Sequence, residues 1–197
     1  MKKIIILLLI LIAVWKFSQP GEVSTGPGVM AEDIPLQVDL PPGVIAEVDD
    51  YQINQLAEFR IKAKVLGRED YTLDREADLS PTDLALGWGR MSDETVLAEV
   101  DISQSGRFYF WRVESFPIPR QEIVSSSANM HLIPASGTVK SEIDSVRRGD
   151  IVEIKGYLVE ARSQADGWRW RSSLTRNDSG AGACELIWVE QLNIVTP

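Results

Sequence analysis

Cys184 and His131 are the only cysteine and the only histidine in this 197-residue chain. A thiol beside an imidazole can serve as a nucleophile with its base. The small residues Gly180-Ala181-Gly182-Ala183 before the thiol can expose backbone amides. Against this, Cys184, Leu186 and Trp188 alternate as a core strand does, and cysteine is among the most buried residue types. His131 sits beside Leu132 and Ile133, the setting of a structural histidine. A second group is Trp168-Arg169-Trp170-Arg171, which puts two indoles on one strand face and two guanidinium groups on the other. With Tyr109 and Trp111 the indoles form a candidate stacking platform for bases or sugar rings. The simpler expectation is that the tryptophans fill a core and the arginines face water. A third group is the segment Ser172 to Gly180, dense in hydroxyls and charge. Asn, Asp, Ser and Gly are ordinary in a turn, but Thr175 and Arg176 exceed what a turn needs. The candidate binding set is therefore Ser172, Thr175, Arg176, Asp178, Trp168, Trp170 and Trp111, and the candidate catalytic pair is Cys184 with His131.

Asp70, Asp74, Glu76, Asp78 and Asp83 cluster in sequence but lack the spacing of an EF-hand loop, so they read as a solvated acidic stretch without a metal. The chain shows no P-loop, dinucleotide fingerprint, nucleophile elbow or His-Glu-x-x-His motif, and no cofactor is expected. One cysteine rules out an intramolecular disulfide and a zinc site built on paired cysteines. The formal net charge of −9 argues against nucleic acid as a partner.

The elements that must position these groups begin with an apolar run. Lys2 and Lys3 precede Ile4 to Trp15, and Lys16 and Phe17 follow. As a helix the run spans roughly 18 Å, the length of a signal-peptide core. No small-x-small cleavage triplet follows it, so the expectation is an uncleaved anchor with flanking lysines snorkelling to the interface. The lysines place the amino terminus in the cytoplasm and the rest of the chain outside it. Residues 18–57 hold seven acids and no Lys or Arg. They read as a linker through residue 34, followed by an extended surface arm broken by Pro35, Pro41 and Pro42.

Phe59, Ile61, Ala63 and Val65 alternate with charged residues, which predicts a strand ended by Gly67. Ser80-Pro81-Thr82-Asp83 has the order of a helix start, with Gly87 as its stop, and Ser92-Asp93-Glu94 opens a second short helix. Strands are expected over Arg107–Val113, His131–Ile133, Ile151–Ala161, Trp168–Leu174 and Cys184–Ile194. Val139, Ile143 and Val146 predict a helix, capped by Thr138 and closed at Gly149.

This order resembles the OB-fold, a five-stranded barrel with a helix between its third and fourth strands. The glycine inside Ile151-Val-Glu-Ile-Lys-Gly156-Tyr-Leu-Val suits the coiling of a central strand. The resemblance implies a fold but carries no active-site residues with it. The expected class is mainly β with α (α+β): an N-terminal transmembrane helix, then an OB-like small β-barrel with inserted short helices. The expected divisions are an anchor at 1–17, an acidic linker and arm at 18–57, and the barrel domain at 58–197. The expected protein is a single-pass bacterial inner-membrane protein whose extracytoplasmic (periplasmic) domain is a binding module. Its partners are the membrane, through residues 1–17, and a protein or glycan. The alternative is a Cys/His-dependent hydrolase or transferase.

Overall fold

The computed structural model describes residues 21–175 and 184–195. It is mostly β with few helices, an α+β arrangement. The strands are β1 (Leu36–Val48), β2 (Tyr51–Asp70), β3 (Thr82–Gly87), β4 (Asp101–Ser105), β5 (Phe108–Arg112), β6 (Ser127–Pro134), β7 (Ile151–Ser163), β8 (Arg169–Arg171) and β9 (Glu185–Val195). The α-helices are α1 (Glu94–Leu97), α2 (Arg120–Ser125) and α3 (Gly137–Ser145). The main sheet runs β1-β2-β3-β6-β9-β7-β8, and β7 pairs again with β2 along its length. All these pairings are antiparallel except β6 with β9. β4 and β5 form a separate hairpin.

The main core follows from strand alternation. Phe59, Ile61, Leu84, Leu86, Met130, Leu132, Val152, Ile154, Ile187 and Val189 meet on one side of the sheet, closed by Val139 and Ile143 of α3. The helix period read from sequence is therefore the one that packs, although Ser136 caps α3 in place of Thr138. Gly156 lies where β7 and β9 shift register, and a Cβ there would collide with the Trp188 carbonyl. The glycine is required by this close approach.

Several expectations are corrected. Thr82–Gly87 is a buried strand, not a helix, and pairs with β2 on one side and β6 on the other. Its two ladders outweigh the local cap signal, because propensity is a weak prior beside tertiary pairing. The strand expected from Glu58 begins at Tyr51. It also passes Gly67, where a bulge absorbs the irregularity. The surface arm is an edge strand, β1, joined to β2 by a turn in which Asp49 takes positive φ (49°).

Nor do residues 21–31 behave as a free linker. Glu94 accepts from Ser24 Oγ (2.8 Å), Thr25 N (2.6 Å) and Gly26 N (3.2 Å), and Ser92 Oγ accepts from Met30 N and Ala31 N at 3.0 Å each. Lys64, almost fully buried, donates to Glu94 Oε1 at 2.9 Å beneath this strap. The expected anchor at 1–17 lies outside the described residues. Among those that are described, no helix is long and apolar enough to cross a membrane.

Candidate functional site

Alternation that sends Leu84, Leu86, Met130 and Leu132 into the core turns Asp83, Asn129 and His131 to the opposite face of β3 and β6. Asp83 and His131 are direct cross-strand partners. That face is covered by the 71–81 connection, the β4–β5 hairpin, and Trp170, Arg171 and Cys184.

The hairpin turn is two residues long, Gly106-Arg107, and both have positive φ (57° and 67°). The primed turn fits strand twist but normally calls for Gly or Asn. Arg107 holds this conformation because its surroundings fix it. Its backbone N–H donates to Tyr71 Oη at 2.9 Å. Its guanidinium reaches Asp74 at 2.7 Å, Asp83 at 3.1 Å and the Ser80 carbonyl at 3.1 Å. It also stacks 4.1 Å from the Tyr71 ring centre. A non-glycine residue at positive φ, tied down this heavily, is a pointer to function.

Asp83 has no exposed surface and sits between two cations or potential cations. On its other side His131 Nδ1 lies 2.8 Å from Asp83 Oδ2, but the geometry is not that of a directed N–H hydrogen bond. Asn129 Nδ2 donates to the Arg107 carbonyl at 3.2 Å, and Gln104 Nε2 donates to Asn129 Oδ1 at 2.8 Å. Arg107 holds the Asp74 carboxyl below its ordinary range through their hydrogen bonds.

Over this network lies a cleft of about 390 Å³, lined by Asp74, Arg107, Phe108, His131, Trp170 and Cys184 among others. Trp170 sits 4.8 Å from the His131 ring and 5.4 Å from the Arg107 guanidinium. Cys184 and His131 therefore share a cleft, as a catalytic pair must. The thiol chemistry opposes catalysis, however: burial pushes the Cys184 thiol up to about 11, with the Glu185 and Asp83 carboxylates adding to it. At neutral pH it is a protonated thiol, not a thiolate.

The other sequence candidates divide. Trp168 packs edge-on to Tyr51 at 5.6 Å, under the Arg75 guanidinium, and with Trp170 it flanks a second apolar cluster outside the main core. Trp111 joins a third cluster beneath the β4–β5 hairpin, beside Phe116 and Arg120, and does not line the cleft. Ser172 is buried and accepts from Leu186 N at 3.0 Å, which pins the chain after β8 to β9. Thr175 is exposed, and Arg176 and Asp178 lie outside the described residues.

The acidic stretch is not simply solvated. Asp70 pairs with Arg68, while Asp74 and Asp83 hold Arg107. No group of three or more His, Cys, Asp or Glu among the described residues is placed to hold a metal. Sequence reasoning missed Arg107, Asp83 and Asn129 as a unit. The one available signal was Ser105-Gly106-Arg107-Phe108 between alternating segments, a two-residue hairpin. No protein-family model matches the chain, and no curated protein or solved structure matches it.

Proposed function

We propose that this chain is a membrane-anchored, extracytoplasmic binding module built on an OB-like barrel. The support for the barrel is the ring of pairings β2–β3–β6–β9–β7–β2, with β6 parallel to β9 and α3 between β6 and β7. This is the strand order an OB-fold uses. The observation that carries the binding reading is the position of the cleft. It lies on the outer face of the second and third barrel strands, walled by the first-to-second and fourth-to-fifth connections, where small barrels of this kind take ligands. The ligand is a protein segment or a glycan, read by Trp170 and Phe108 beside the fixed Arg107. The anchor reading rests on Lys2, Lys3 and the apolar run Ile4 to Trp15.

The test compares the full chain with Phe108→Ala and Trp170→Ala in cross-linking to solubilised envelope proteins and in binding to an oligosaccharide panel. Loss of one defined partner in both variants, with folding intact, supports the cleft. A partner kept by both removes it.

A second reading, a hydrolase or transferase using Cys184 and His131, is favoured by their shared cleft and opposed by the raised thiol pKa. Rapid labelling of folded protein by iodoacetamide at neutral pH would revive it. Labelling only after denaturation would end it.

A further inference from the structure

The face of β8 opposite the tryptophans carries a second feature, which meets the cleft only at Arg171. Glu160 on β7 is 2 % exposed, and three arginines converge on it. Arg162 donates to one carboxylate oxygen, and Arg171 and Arg169 reach the other at 3.2 Å and 3.5 Å. All three arginines are about half exposed, so their outer N–H groups face water.

One arginine would be enough to satisfy a buried carboxylate, since a bidentate guanidinium matches both oxygens. Three against one leave two positive charges around Glu160 itself, in a chain whose net charge is −9. The arrangement also carries a local cost. Arg162 and Arg169 are directly opposite each other across β7 and β8, and like charges at such positions repel. Glu160 lies on the neighbouring rung, opposite Arg171, so it draws the pair together without standing between them. The carboxylate thus gathers three half-exposed guanidinium groups from two adjacent strands. That geometry suits a compact ligand with several oxygens, because guanidinium pairs bind phosphate bidentately and with little entropy loss once pre-ordered.

We propose that Arg162, Arg169 and Arg171, ordered by Glu160, form a binding site for a phosphate-type oxyanion that adjoins the cleft at Arg171, which lines both. The phosphate is supplied either by a free anion or by a phospholipid headgroup.

The full chain in neutral detergent micelles is titrated separately with pyrophosphate, with dihexanoyl phosphatidylglycerol and with the phosphatidylcholine analogue. The arginine Nε–Hε NMR signals are followed. Saturable shifts at these three arginines with pyrophosphate mark a free-anion site, and shifts with phosphatidylglycerol but not pyrophosphate mark a lipid site. Either result should weaken at least about tenfold in Arg162→Gln/Arg169→Gln, given the strength of charged hydrogen bonds. That variant leaves Arg171 to satisfy Glu160, so folding is retained. Equal affinity in the double variant, or no shift with any of the three at low ionic strength, overturns the proposal. Arg112→Gln alters an exposed pair with Asp101 elsewhere and should leave binding unchanged.

Discussion

Arg107 offers the sharpest test of the site's physics, because its side chain stabilises the fold while its backbone strains it. In Arg107→Ala, Asp83 keeps His131 Nδ1 at 2.8 Å and an Asn129 contact at 3.4 Å, but loses its permanent cation in a place with no solvent exposure. Removing one partner of a buried charge pair costs about 3–5 kcal/mol. Asp74 is 40 % exposed and adds little, since water replaces its partner. The expected loss is therefore about 3–4 kcal/mol, enough to unfold a marginal domain under mild denaturant. Arg107→Gly removes the same ion pairs but also relieves the positive φ of 67°. It should be about 1 kcal/mol less destabilising than the alanine variant. Urea unfolding followed by tryptophan fluorescence measures both. If the two variants unfold together, the backbone strain is not a cost. If both lose less than about 1 kcal/mol, the Asp83 network does not hold the face of β3 and β6 together.

Glu94 predicts a pH dependence. Its carboxyl is held down to about 2, first by the Lys64 hydrogen bond and then by the strap's donors, against burial that pushes it up. The folded value lies below the unfolded one of about 4.3, so this stability is present above that pH and is lost as pH falls towards 2. Glu94→Gln should flatten the unfolding midpoint between those limits, and an unchanged acid slope would refute the linkage. Gly156→Ala should cost about 2 kcal/mol or more by forcing β7 away from the Trp188 carbonyl, read as a lowered Tm; a neutral effect would show that the strands part freely there. At Gly149, φ is +91° and a Cβ would meet the Val23 carbonyl, so Gly149→Ala should release the strap and increase hydrogen exchange at Thr25 and Gly26. Unchanged protection at those amides would show that the strap docks independently of that turn.

Local signals read correctly wherever one element buries one face. The alternation of Phe59 to Val65, the 3.6 period of Val139 and Ile143, and the indole and guanidinium faces of β8 were all legible, since each needs only its own side chains and water to be explained. What the sequence could not settle was pairing. Thr82–Gly87 carries helix-start residues, and nothing local reveals that β2 and β6 will flank it. Asp83 likewise looks like one more acid in a solvated run. It becomes the buried centre of the network beneath the cleft only because a hairpin brings Arg107 back to it and β6 sets His131 opposite it. Composition, periodicity and the two single residues Cys184 and His131 fix which side chains are available and which way each strand faces. Tertiary pairing decides which charges meet away from water, and burial then sets what those groups can do: it holds the Cys184 thiol protonated, Asp83 ion-paired and Arg107 bent into a turn that its own side chain would not choose.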